Sequence, residues 1–226
     1  MRMLLAEARY PSAERAHSGG VEAACAVGLV TDLETLRSFL YGRLWTIGAT
    51  WAAASAAVCA RAITTPSPNA LFRSAEAELD ARTSSAAARD ASRAQGGDLL
   101  RLAFTVTTHP LLDILARATV AHRQRPHYAT AAGTIAALAG DPPFDAAEAA
   151  AYAAVAGPAF AAQTLLDLGP AEINALGVEM APEVTRLARS AAESADRPLA
   201  DLPAAGAPAL AYLAEEHIAR RRSFAS

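Results

Sequence analysis

The sequence predicts an all-α protein, and two patterns support this prediction. Apolar residues recur at spacings of three and four along long stretches such as residues 33–62, which places them on one face of a helix. Strand-like alternation is confined to residues 104–108. A chain of 226 residues, 53% of them hydrophobic, can bury one sizeable core. We therefore expect a single domain over residues 1–226, a helical bundle of about eight to ten helices.

Composition argues against several functional classes. The net charge of −3 at pH 7 disfavours nucleic-acid binding, which normally needs a basic surface. The two cysteines, Cys25 and Cys59, do not lie in a Cys-x-x-Cys pair, which fits free thiols in a reducing, cytoplasmic compartment. The uncharged residues 149–166 are rich in Ala and interrupted by Gly and Pro. We expect them to form a buried helix rather than a membrane span.

The chain is organised around a polar turn near its N-terminus, where residues 16–22 read AHSGGVE. Ser18 is a candidate N-cap for a short helix that follows at once. Gly28 is a candidate stop signal for that helix. Thr31 and Glu34 have capping-box spacing ahead of the next apolar stripe. The pattern predicts a turn, a short helix, a second turn and then a long helix.

Helix signals and proline breaks order the rest of the chain. We expect residues 1–15 to form a flexible N-terminus and residues 209–226 to form a C-terminal helix and tail. Asp145 is a candidate N-cap, Gly157-Pro158 a kink and Pro182 a break. Helices are predicted over residues 33–62, 74–80, 85–105, 111–120, 128–138, 145–168, 171–195 and 209–222.

Common catalytic and metal-binding motifs do not occur in the sequence. It contains no phosphate-binding loop of the GxxxxGK[ST] type, no HExxH and no GxSxG. His17 and Cys25 are eight residues apart, and imidazole and thiolate both suit nickel or zinc. Two candidate ligands do not make a site, so a turn histidine and a buried thiol are the favoured interpretation. The motifs therefore predict a helical protein with no catalytic residues and no cofactor.

Three blocks of sequence resemble a known family. Residues 4–44 contain LLA, HSGGVEAA, GLVTDL, FL and RL in order, residues 80–102 contain DAR, RDASRAQG and LLRL, and residues 162–168 read AQTLLDL. Together these blocks resemble the urease accessory protein UreF family, in its actinobacterial form. One departure is the Pro11-Ser12-Ala13 segment, where the family usually has Pro-x-Gly.

The resemblance implies a fold and a function. Members of the UreF family are all-α and are not known as enzymes. They bridge the accessory protein UreD, also called UreH, and the GTPase UreG. We therefore expect a non-catalytic protein that supports nickel insertion into apo-urease and modulates GTP hydrolysis by UreG. Homodimerisation is expected by the same analogy.

The polar residues in the matching blocks are candidates for partner binding. The alternatives are a turn needed only for folding, a solvated helix face and a helix C-terminus that favours cations. The candidates fall in the N-terminal turn, the second block and the C-terminal tail: His17, Ser18, Gly19, Gly20, Glu22, Arg82, Arg89, Ser92, Arg93, Gln95, Arg220, Arg221 and Arg222.

Two other functions compete with the scaffold. The protein could carry nickel through His17 and Cys25. It could also bind a small molecule, with the turn at residues 16–22 as the lip of a pocket. The second alternative requires a cavity lined by groups with shifted pKa values.

Overall fold

The computed structural model of the chain describes residues 18–120, 125–204 and 207–219, and these residues form helices joined by short connections. The bounds are α1 Val21–Ala26, α2 Leu33–Arg43, α3 Ala49–Arg61, α4 Pro68–Arg82, α5 Ala86–Val106, α6 Pro110–Val120, α7 Tyr128–Ala139, α8 Pro143–Leu165, α9 Pro170–Glu193 and α10 Pro208–Ala219. A 3-10 turn, Leu199–Asp201, precedes α10. The all-α prediction and the expected number of helices are confirmed for the described residues, which contain no strand.

Helix α3 lies at the centre of the bundle, and α7, α8 and α9 pack around it. Nearly every residue from Ala49 to Cys59 is buried, and most are Ala. Small side chains let neighbouring backbones approach closely. Gly133 of α7 shows how closely, because a Cβ added there would lie 2.5 Å from the carbonyl oxygen of Ser55. The core is therefore built by close helix approach rather than by large side chains.

The predicted long helix over residues 33–62 is confirmed, with one irregularity. Helices α2 and α3 are joined without a break by a π-helical segment, Leu44–Gly48. The extra residue in a π-turn rotates the side chains that follow it. Arg43, immediately before this segment, is buried against α8.

Proline has a smaller effect on the long helices than the sequence suggested. Pro158 lies inside α8, which is the predicted buried helix, and Pro182 lies inside α9. The predicted break at Pro182 is wrong, because α9 continues to Glu193. Pro182 and Val178, four residues earlier, are both exposed, so the carbonyl that loses its helical hydrogen bond faces solvent.

Three predicted caps are displaced along the chain. Gly20, in a left-handed conformation, is the N-cap of α1, and Ser18 does not cap the helix with its side chain. The capping box of α2 is formed by Asp32 and Thr35, one residue beyond the predicted pair. Pro142 rather than Asp145 is the N-cap of α8. Several polar residues lie close to each helix start, so spacing alone does not select the cap.

Two further expectations concern helix length and the membrane. The predicted short helix over residues 74–80 is longer than expected, since it begins at Pro68, which is well tolerated in a first helical turn. None of the helices in the described part of the chain is both long and apolar enough to cross a bilayer. The expected flexible segment, residues 1–15, lies outside the described residues.

Candidate functional site

The two main blocks of candidate residues meet at one small cavity. Its volume is about 80 Å³. The wall is formed by the turn before α1, the end of α2, the α4–α5 connection, the first half of α5 and one face of α10. Among the residues that line it are Gly19, Gly20, Arg43, Thr50, Arg82, Ser84, Ser85, Ser92, Gln95, Leu210 and Ala214.

The N-terminal turn is shaped by two glycines with positive φ, Gly19 at 57° and Gly20 at 92°. L side chains rarely adopt these values. At Gly19 a Cβ would also lie 2.6 Å from the Cγ of Pro158. Ser18, just before the glycines, is fully buried, and its hydroxyl oxygen has no hydrogen-bond partner among the described residues. The turn is therefore packed into the bundle, and Glu22 is its half-buried acidic member.

Arg43 connects this turn to the rest of the fold. Its Nε donates to the carbonyl of Ala154 at 2.6 Å, and its Nη1 donates to the carbonyl of Gly19 at 2.9 Å. The side chain is 7% exposed, and within the described residues it makes no ion pair with a carboxylate. Burial lowers the pKa of Arg43 to about 10. The group stays charged at neutral pH, so the cavity wall carries an unneutralised positive charge.

Two arginines hold the α4–α5 connection. Arg82 donates to the carbonyls of Leu202 at 3.0 Å and Ala200 at 2.7 Å, and it is paired with Glu78. Arg89 donates from Nη1 to the carbonyl of Thr83 at 2.6 Å. Both side chains are half-buried. They satisfy backbone carbonyls of the connection and of the segment before α10, and thereby fix the wall of the cavity.

Behind this wall, Arg93 forms a buried ion-pair cluster with two acids of α4. It donates to Glu76 at 2.6 Å and to Asp80 at 2.8 Å. Its Nη1 also reaches the carbonyl of Arg125 at 2.6 Å. Only 9% of the Arg93 side chain and 11% of the Glu76 side chain are exposed. Because both charges are paired and hydrogen-bonded, the cluster joins α4 to α5 without leaving a buried charge unbalanced.

His127 completes the cluster at the start of α7. Its backbone N–H donates to Glu76 at 3.0 Å, its Nε2 lies 3.0 Å from Asp80 Oδ1, and its Nδ1 lies 3.0 Å from Ser92 Oγ. Ser92 Oγ also accepts the N–H of Tyr128 at 3.3 Å. A Ser-His-Asp hydrolase uses the opposite ring nitrogens, Nε2 for Ser and Nδ1 for Asp. We interpret this chain of hydrogen bonds as the anchor of the first turn of α7.

The structure therefore separates the candidate residues by accessibility. Ser92, Arg93 and Gln95 are buried, so the alternative of a solvated helix face is wrong for them. Glu22, Arg82 and Arg89 are half-buried and remain accessible from outside. His17, Arg220, Arg221 and Arg222 lie outside the described residues.

The cluster makes stability depend on pH through Asp80. The hydrogen bond from His127, together with Arg93, lowers the pKa of Asp80 below its ordinary value. A carboxylate with a lowered folded-state pKa contributes stability above its unfolded pKa of about 3.9 and loses that contribution as pH falls through the folded pKa. We expect Asp80→Asn to be less stable than wild type at pH 7, and the difference to shrink as the pH falls below about 4.

Urea unfolding at a series of pH values measures this difference. Asp90→Asn, an exposed change on α5 beyond its first turn, is the control and should follow wild type at every pH. A difference between Asp80→Asn and wild type that does not shrink as the pH falls below about 4 would contradict the assignment.

Nothing in the described residues supports the nickel-carrier alternative. No three His, Cys, Asp or Glu side chains there lie close enough together to hold a metal ion. Burial, and secondarily the charge of Glu22, raises the pKa of the Cys25 thiol, which disfavours the thiolate that would bind metal. The pairing of Cys25 with His17 stays a prediction, since His17 is outside the described residues.

Sequence reasoning missed four residues that build the site: Arg43, Glu76, Asp80 and His127. The acids at positions 76 and 80 have the i, i+4 spacing that places two side chains on one helix face, which is a usable signal. Arg43 ends the polar face of α2 and carries no comparable signal, because its burial depends on α8.

The fold and the site together define an all-helical protein with a small cavity between its N-terminal turn and its α4–α5 connection. The UreF family model matches residues 30–181. The chain is 41% identical to the urease accessory protein UreF of Mycobacterium sp. (strain JLS) over 97% of this chain and 94% of that protein. It is 40% identical to the protein of the same name in Mycobacterium marinum, over 98% and 95% of the two chains. The chain belongs to the UreF family.

Proposed function

We propose that this protein is a non-catalytic accessory protein in urease maturation. It bridges a UreD-type protein and a UreG-type GTPase, modulates GTP hydrolysis by the latter and so supports nickel insertion into apo-urease. The observation that carries the proposal is the 41% identity to a urease accessory protein UreF over nearly the full length of both chains. Several of the candidate polar residues hold the junction between α4 and α5, and this structural role is compatible with a scaffold.

We propose that the outer rim of the cavity contacts a partner. Glu22, Arg82 and Arg89 lie on this rim or next to it and are half-buried. Tyr212 of α10 is 55% exposed. The next residue, Leu213, packs against Gly20: its Cβ lies 3.7 Å from the position that a Cβ added to Gly20 would occupy. Accessible tyrosine and arginine side chains are the residue types enriched among interface anchors. Arg220, Arg221 and Arg222 stay candidates for partner binding on the sequence alone.

Co-elution with purified partners tests the bridging role. We expect the full chain to shift to a larger size in size-exclusion chromatography when mixed with its UreD-type and UreG-type partners at micromolar concentrations. Tyr212→Ser should weaken the complex at least about tenfold, the typical loss at an interface anchor. No co-elution with either partner would contradict the proposed function.

A matched pair of charge reversals separates contact from folding. Glu22 and Glu34 are both acidic residues in the first turn of a helix, so reversal to Arg acts against the helix dipole in both. Glu34→Arg also breaks the exposed pair of Glu34 with Arg37, which costs at most about 1 kcal/mol. Glu22→Arg should lose partner binding with unchanged circular dichroism, whereas Glu34→Arg should keep it. Equal binding of the partner by both variants would show that the cavity rim is not part of the partner-binding surface.

We also propose that the protein forms a homodimer, as the family resemblance implies. A groove of about 730 Å³ between α8 and α9 is lined mainly by apolar residues. Tyr152 and Val178, at 42% and 75% exposure, stand on its walls. An exposed apolar surface of this kind favours association. Light scattering should give twice the monomer mass for wild type and the monomer mass for Val178→Asp, and two monomeric samples would contradict the proposal.

A further inference from the structure

The cavity contains a positive charge that nothing in the described part of the chain neutralises. Arg43 is 7% exposed and donates only to two backbone carbonyls, from Nε and Nη1. Its Nη2 makes no hydrogen bond to a described residue. A buried guanidinium without a carboxylate is unusual, because burial of a charge normally requires a partner of opposite sign. Arg43 therefore lacks a counter-charge at a place where there is room for one.

Two carboxylates near the cavity are bound elsewhere. Glu78 is paired with Arg82. Glu215 accepts from Ser85 Oγ at 2.7 Å and from the N–H of Ala87 at 3.3 Å. These bonds lower the pKa of Glu215, so it stays ionised. Neither acid is free to approach Arg43 without giving up its present donors.

The rest of the wall offers hydrogen-bond donors. Gln95 is 7% exposed, lines the cavity and makes no hydrogen bond to a described residue. Ser84 also lines it and carries a hydroxyl group. A guanidinium fork, an amide and hydroxyls are the groups that bind carboxylate and phosphate oxygens. The volume of about 80 Å³ is several times the roughly 10–15 Å³ that one water molecule needs in a cavity, which leaves room for a small anion.

We propose that this cavity is a binding site for a small oxyanion, a phosphate or a carboxylate, held by Arg43 and Gln95. The bound anion supplies the missing counter-charge and ties the N-terminal turn to α5. The site does not depend on the urease-related role, since it is inferred from Arg43 and its surroundings alone.

Thermal unfolding of the full chain with inorganic phosphate or acetate tests the site, with potassium chloride keeping ionic strength constant. Binding to the folded state alone raises the melting temperature, by about 4 °C at a ligand concentration ten times Kd for a chain of this size. We expect such a shift with at least one of the two anions, and titration calorimetry should give one site per chain. A shift with phosphate alone identifies a phosphate site, and a shift with acetate alone identifies a carboxylate site.

Two variants make the result specific. Arg43→Met removes the charge and should abolish the shift, although it also removes the two carbonyl contacts that hold the turn. Ala91→Leu leaves Arg43 and its contacts unchanged and fills the cavity, which Ala91 lines, so it should also abolish the shift. A general salt effect on stability would act equally on wild type and Ala91→Leu. Equal shifts in those two proteins, or no binding of either anion to wild type, would overturn the proposal.

Discussion

Arg93→Met is expected to destabilise the protein by about 3 kcal/mol, or about 6–12 °C in melting temperature. Methionine keeps much of the volume but removes both ion pairs, to Glu76 at 2.6 Å and to Asp80 at 2.8 Å. Glu76 is then a buried carboxylate without a cation, and the cost of an unpaired buried charge exceeds the cost of losing an exposed pair. The estimate is at the lower end for buried pairs, because 36% of the Asp80 side chain is exposed.

Arg101→Met on the same helix is the matched control. Arg101 pairs with Asp98, but its side chain is 65% exposed, so its loss should cost no more than about 1 kcal/mol. A second test combines Arg93→Met with Glu76→Gln, which removes the stranded charge and should recover part of the lost stability. Urea unfolding measures all four proteins. Equal losses for Arg93→Met and Arg101→Met would show that the cluster contributes no more than a surface pair.

This cluster also shows where prediction from the sequence stops. Helix positions followed from the spacing of Leu and Ala, because a helix face is a local property of the chain. The sequence marks Arg93 as a candidate, but its acidic partners lie on α4 and its carbonyl partner is Arg125, so its burial is a tertiary property. The π-helical segment Leu44–Gly48 is a further case, since its sequence is compatible with an ordinary helix.

The candidate site was predictable in part for the same reason. The glycines of the N-terminal turn were singled out by their position before a helix, and the structure gives both of them positive φ. The predicted N-cap role of Ser18 is wrong. The N-cap is the residue that takes the non-helical conformation before the helix, and here that residue is the flexible Gly20. The cavity itself was not predictable, since it lies between elements that are far apart in sequence.

Gly96→Ala is expected to destabilise the protein by about 2–3 kcal/mol, although Ala is the better helix former. Gly96 lies where the backbone before α7 crosses α5. A Cβ there would be 2.6 Å from the carbonyl carbon of His127 and nearer still to the carbonyl oxygen of Pro126. Backbone atoms cannot rotate away as a side chain can, so the crossing segment must move. That movement would also stretch the hydrogen bonds of His127 to Asp80 and Ser92.

Two other glycines in helices separate this packing effect from helix propensity. At Gly177 in α9 no atom lies within 4 Å of an added Cβ, so Gly177→Ala should stabilise the protein by about 0.5–1 kcal/mol. At Gly97, next to Gly96, the Cβ would meet the side chain of Arg125 at 2.5 Å. This side chain is exposed, and its Cδ can move away by a change of rotamer. Its Cγ and Cβ, at 3.1 and 3.2 Å, need to shift by only a few tenths of an ångström, so Gly97→Ala should cost clearly less than Gly96→Ala. Chemical denaturation measures the stability of each variant. The added Cβ meets backbone atoms at Gly96 and a side chain at Gly97, so equal stability of Gly96→Ala and Gly97→Ala would contradict a backbone clash at Gly96.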